Sequence, residues 1–224
     1  MQSKTRRFIA IVGMSLGLLI LRGMAVAGTD PFEGLSVEWW QWVFSIPASD
    51  NPLADATGAH CMVGQRGDVW FLVGNGGGTT TRTCTIPEGV ELFFPVVNQS
   101  FFDSPNACGQ GDFSVPVSEM RAFIAAFIDG VTITDVTVDG KPVKDIDRIQ
   151  SKIFAIALPD DNIAGGAPGC PAGIYSPTVD DGYYVQLKPL KVGTHTLHFH
   201  AENPSAGFTL DVTYHLDVVP VVKH

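Results

Sequence analysis

From residue 68 to residue 218 the apolar positions come in short runs, many of them alternating with polar ones. Gly, Pro, Asn and Asp punctuate the runs, and the pattern predicts strands joined by tight turns. Asp68–Val73 is almost continuously apolar, which predicts a strand buried on both faces. The glycines of Gly74-Asn75-Gly76-Gly77-Gly78 predict a hairpin turn into a Thr-rich strand at Thr79–Ile86. Val90–Val97 is another strong strand, and Asn98–Pro116 reads as irregular. Val131–Val138 alternates and ends at Asp139-Gly140, a two-residue hairpin signal leading to Lys141–Val143. Lys152–Leu158 and Gly182–Leu187 follow, separated by a loose Gly/Pro stretch around Gly165–Pro177. Thr194–Ala201 and Phe208–Val218 alternate cleanly and predict a final hairpin.

Two segments have helical spacing instead. In Gly34–Ile46, residues Leu35, Trp39, Trp42, Val43 and Ile46 share one face, Ser36 is the expected N-cap, and Pro47 stops the run. In Ser118–Asp129, Ser118 is the expected cap and Glu119 lies in the first turn. Met120, Phe123, Ile124 and Phe127 form the expected buried stripe. The fold class predicted is mainly β: a β-sandwich, jelly-roll or immunoglobulin-like, with one or two packed helices. Residues 28–224 are expected to form one domain, and any subdivision would fall near residue 116.

The N-terminus changes the setting. Lys4, Arg6 and Arg7 precede an apolar run, Phe8–Leu21, and Ala25-Val26-Ala27 supplies small residues at a cleavage site. This predicts a signal peptide over 1–27 and a mature chain starting at Gly28, periplasmic or secreted. The run is short for a membrane span, and no second long one follows. Thr5-Arg6-Arg7-Phe8-Ile9 also resembles a twin-arginine signal, so both export routes stay open. The formal charge is −9; losing Met1–Ala27 removes Lys4, Arg6, Arg7 and Arg22 and no acid, giving −13. A chain so acidic does not match the clustered Lys and Arg that nucleic acid needs. Cys61, Cys84, Cys108 and Cys170 allow three disulfide connectivities, and pairing nearest partners gives Cys61–Cys84 and Cys108–Cys170.

Several phrases resemble a family of exported bacterial proteins. They are Trp39-Trp40-x-Trp42, Asn51-Pro52-x-x-Asp55-x-Thr57-Gly58, Gly64-Gln65-x-Gly67-x-Val69-Trp70-Phe71-Leu72 and Arg82-x-Cys84-x-Ile86-Pro87-x-Gly89. Phe93-Phe94-Pro95, Asp180-Asp181-Gly182-Tyr183-Tyr184 and Pro189-Leu190-x-x-Gly193-x-His195-Thr196 complete them. The resemblance implies export and a β-rich body, and it brings no catalytic residue.

Candidate chemistry is partial. On the last hairpin His198, His200, His215 and Asp211 share one face, opposite the apolar Leu197, Phe199, Leu210 and Val212. With a connection through Glu202–Gly207, His198 faces Asp211; a two-residue slip puts His200 there. Imidazoles beside a carboxylate are ligand types for zinc or copper, and the competing reading is a solvated sheet face. His195 shares the core side with Leu197 and reads as a packed, hydrogen-bonded histidine. Trp39, Trp40 and Trp42 read either as a packed helix face or as an aromatic platform for a glycan. His60-Cys61-Met62 has copper-site residue types, but a disulfide would occupy Cys61. The Gly74–Gly78 loop lacks the Lys and Ser/Thr of a phosphate loop. Asp160, Asp161, Asp180 and Asp181 offer calcium-type ligands without an EF-hand, since its twelfth position is Pro171. No Gly-x-Ser-x-Gly elbow occurs after residue 27. The sequence therefore points to a non-enzymatic binding or structural module whose partner is a protein or a glycan, with a zinc or copper protein as the alternative.

Overall fold

The computed structural model describes residues 31–164 and 169–221, so the leader and the cleavage site expected above lie outside the described residues. Helix α1 spans Pro31–Ser45 and helix α2 Val117–Ile128. The strands are β1 Val69–Phe71, β2 Gly78–Pro87, β3 Glu91–Phe102, β4 Thr132–Val138, β5 Lys141–Pro142, β6 Asp147–Gln150, β7 Phe154–Leu158, β8 Gly173–Leu187, β9 Gly193–Asn203 and β10 Phe208–Val219. They form two sheets of five. One has the order β1-β3-β8-β6, with β7 also on β8; the other runs β2-β10-β9-β4-β5. Both sheets are mixed, each with one parallel pair, β1 with β3 and β2 with β10. Strands from both sides of residue 116 share each sheet.

The arrangement has three layers, which explains two sequence textures. The first sheet is covered by the second on one face and by α1 on the other. Its central strand is accordingly apolar at consecutive positions, Leu92-Phe93-Phe94, as burial on two faces demands. Phe94 stacks on Phe199 of the second sheet at 5.2 Å, while Phe93 stacks on Tyr184 at 5.3 Å beneath α1. The second sheet has one face in the core, so β9 and β10 alternate. Helix α2 packs on the far ends of β3 and β8 through Met120, Ile124 and Val179.

Several local expectations are corrected. The Gly74–Gly78 segment is not a hairpin turn: β1 and β2 lie in different sheets, and the loop crosses between them. Strand β3 runs on to Phe102 rather than ending at Val97. Its polar Asn98, Gln99 and Ser100 pair with Gly182, Asp181 and Asp180, so polar residues meet polar residues inside a ladder. Ser36 is not a cap; α1 starts at Pro31, a residue suited to the first helical position, and Ser36 is buried inside the helix. The cap of α2 is Pro116 rather than Ser118, and its buried stripe is Met120, Ile124 and Ile128; Phe123 points outward. The loose stretch after Cys170 is also shorter than expected, because β8 begins at Gly173.

Gly182 is required by space. A Cβ there would sit 2.5 Å from the Asn98 Cβ and 2.8 Å from the Val97 carbonyl oxygen, beside the irregularity that interrupts the β3–β8 ladder between Pro95 and Val97. Gly182→Ala should destabilise the protein by about 3 kcal/mol or more, because two paired backbones must separate. Chemical denaturation checks this; a loss below about 1 kcal/mol would contradict the close approach.

Candidate functional site

The tryptophans of α1 are core. All three indole N–H groups are satisfied within the protein: Trp39 donates to the Leu72 carbonyl at 2.8 Å, Trp40 to Asp180 Oδ1 at 2.7 Å, and Trp42 to the Val63 carbonyl at 3.0 Å. All three side chains are buried, so they present no exposed platform. A helix that must cover Phe93, Tyr184 and Ile156 uses its largest rings inward.

The outer face of the second sheet carries the histidines. The slipped register is the one formed: Asp211 lies opposite His200, and His198 opposite Thr213. His198 sits between two carboxylates, with Nδ1 3.0 Å from Asp135 Oδ2 and Nε2 3.4 Å from Asp211 Oδ1. His200 Nε2 is 3.4 Å from Glu202, and His215 stands exposed opposite Thr196. Among the described residues, no group of three or more His, Cys, Asp or Glu side chains is placed to hold a metal ion. His195, at the start of β9, is clamped between Asp139 of the β4–β5 turn, 2.8 Å from Nδ1, and the Lys191 carbonyl, 2.8 Å from Nε2. The Asp139 hydrogen bond raises its pKa and lowers that of Asp139.

Cys61 is bonded to Cys84 and Cys108 to Cys170, so Cys61 offers no thiolate to a metal. Asp180 and Asp181 are not in a loop; both are buried in β8, facing opposite sides. Asp181 accepts two hydrogen bonds from Arg148, at 2.9 and 2.8 Å, and one from Gln150 at 2.9 Å. This bidentate pair compensates the burial of the charge and ties β6 to β8. Asp180 faces α1 and accepts from Trp40 and from the Tyr184 hydroxyl, both at 2.7 Å, and the Ser36 hydroxyl also reaches it. Complete burial pushes its carboxyl up to about 7, against the opposing pull of those donors. Its Oδ2 has no hydrogen-bond partner. A proton on that oxygen displaces no donor.

A cleft of about 260 Å³ lies along β3. Its floor is the β3 stretch Pro95–Gln99. Trp39 and Trp40 flank one side, Phe127 and Phe208 the other, and Gly74–Gly76 closes an end. The crossover that forms this end is pinned: Tyr214 donates to the Val73 carbonyl at 2.9 Å, and buried Arg82 donates to the Asp55 carbonyl at 2.8 Å and lies over the Tyr214 ring. Asn75 holds the loop internally, donating to the Gly78 carbonyl and to Thr80. Two amide side chains of β3 line the cleft. Asn98 donates to the Tyr184 hydroxyl at 3.0 Å, and Gln99 Oε1 is a buried acceptor with no partner. Sequence reasoning did not single out Asn98 or Gln99, and it met Tyr184 only as the end of the Asp180–Tyr184 phrase. The available signal was the polar triplet Asn98-Gln99-Ser100 directly continuing an apolar strand.

No helix among the described residues is long and apolar enough to cross a membrane. No family model, no curated protein and no solved structure matches the chain.

Proposed function

We propose that this protein is an exported, disulfide-stabilised binding module of the periplasm or cell surface that holds its ligand in the cleft along β3. The observation that carries the reading is the buried, unpartnered Gln99 Oε1 in a cleft walled by aromatic side chains. Leaving such an acceptor unsatisfied costs about 1–3 kcal/mol, and a ligand donor recovers that cost. The polar groups of the cleft are neutral amides, which recognise by hydrogen bonds and do not move protons. The leader-like N-terminus and the two disulfides support an exported setting.

The test is cross-linking in the native cell from a photoreactive residue at Phe208, which lines the cleft, and at Thr83, an exposed position of β2 outside it. The cleft-side position is expected to give a discrete adduct and Thr83 none. Gly76→Trp should abolish the adduct, since a side chain at Gly76 meets nothing within 4 Å of its Cβ and fills the cleft without straining the fold. An adduct from Thr83 alone, or one indifferent to Gly76→Trp, would refute the reading.

A further inference from the structure

Resting on the cleft as the binding site, we infer that its ligand is an extended peptide segment of a partner protein, added as a strand to the free edge of β3. Strand β1 accompanies β3 only as far as Phe71 opposite Phe93. From Asn98 to Phe102, β3 pairs with β8 on one side and, among the described residues, with no strand on the other.

The direction of the backbone groups follows from the neighbouring bonds. The Asp103 amide donates to the Pro177 carbonyl, so odd-numbered residues at this end of β3 face β8. The Ser151 amide donates to the Asp180 carbonyl, so Asp180 faces β6 and its β3 partner Ser100 faces away from β8. The N–H and C=O groups of Asn98, Ser100 and Phe102 thus point out of the free edge, where an added strand would lie about 4.8 Å away. Such an edge is a template for strand addition.

The edge is recessed, which decides the occupant. The cleft follows Pro95–Gln99, and a second depression of about 410 Å³ follows Ser100–Phe102, its far wall formed by the 108–115 loop. A single extended chain of about eight residues fits along both. The β3 edge of a second copy cannot enter, because it is flanked by the same walls, and two chains so acidic repel. No Lys or Arg lines either depression, and Asp103 closes the far end of β3. Phe113 and Phe123 lie exposed at that end, 62% and 61%, with Phe123 edge-on to Phe101 at 5.5 Å. The fitting segment is therefore neutral or basic, with apolar side chains at alternate positions.

The experiment selects binders from a random linear decapeptide library against the mature protein and measures their affinity for three proteins. Peptides are expected to bind wild type and Ser100→Ala equally, and to lose about tenfold or more on Ser100→Pro. Proline removes an N–H that faces away from β8, as an edge strand tolerates, so the fold should persist. N-methylation of alternate peptide amides should cause the same loss on wild type, and this series decides alone if Ser100→Pro does not fold. Peptides indifferent to both changes but blocked by Gly76→Trp would overturn strand addition while leaving the cleft as the binding site. Failure to select any peptide would overturn the inference, whereas the cellular cross-link tests the binding site separately. A concentration-dependent dimer lost on Ser100→Pro would overturn it in favour of self-pairing.

Discussion

Asp180→Asn should abolish most of the fall in stability that the wild-type protein shows as pH rises from about 4 to about 7. The carboxyl is raised from 3.8 to about 7 in the folded protein, so across that interval the folded state holds a proton that the unfolded chain releases. Folding stability therefore declines with rising pH: the contribution is full below the unfolded value and lost as pH passes the folded one. That difference is worth roughly 4 kcal/mol of stability. His195, raised by its bond to Asp139, adds a slope of the same sign, so the difference between wild type and variant is the quantity to read. Asparagine keeps an acceptor for Trp40, Tyr184 and Ser36 but places an unpartnered amide where Oδ2 stood, costing about 1–3 kcal/mol at low pH. The two stability curves should converge or cross near pH 7. Urea unfolding at a series of pH values measures this. Parallel curves would show that Asp180 is ionised throughout. Asp180→Ala, which removes the acceptor shared by the buried Trp40 indole and Tyr184 hydroxyl, should cost about 2–4 kcal/mol near neutral pH.

Replacing Cys108 and Cys170 by serine should destabilise the protein by about 4 kcal/mol, and replacing Cys61 and Cys84 by about 3 kcal/mol. The bridges span 62 and 23 residues, and the entropy lost by the unfolded chain grows with the logarithm of that separation. Their consequences for the cleft should differ. Cys108 belongs to the loop that walls the second depression, so its release should weaken ligand binding as well as stability. Cys84 lies in β2, and neither it nor Cys61 lines either depression, so their loss should register mainly in stability. Melting temperature and ligand affinity for the two double variants separate the effects. Equal loss of affinity in both would contradict the assignment of the walls.

The alternating strands β9 and β10, the Asp139-Gly140 turn and the apolar run at Leu92 are local patterns, and the mainly β sandwich followed from them. The outer-face histidines were likewise placed on one surface by period two. What was not legible came from contacts far apart in sequence. The glycine loop looks like a hairpin turn in any local window; only the assignment of β1 and β2 to different sheets makes it a crossover. Trp40 reads as a ring on a helix, and its meaning depends on Asp180, 140 residues later. Asn98-Gln99-Ser100 reads as loop because polar residues seldom sit in a central strand; opposite Gly182, Asp181 and Asp180 they become ladder and cleft floor. The free edge of β3 has no sequence signature, since it is defined by where β1 stops.

Amide hydrogen exchange of the mature protein, with and without the soluble fraction of its own export compartment, tests the central claim most directly. The account predicts new protection centred on Pro95–Phe102 and on the walls at Gly74–Gly78 and residues 108–115. Protection on the outer face of β9 and β10, around His198 and Asp211, or no change anywhere, would contradict it.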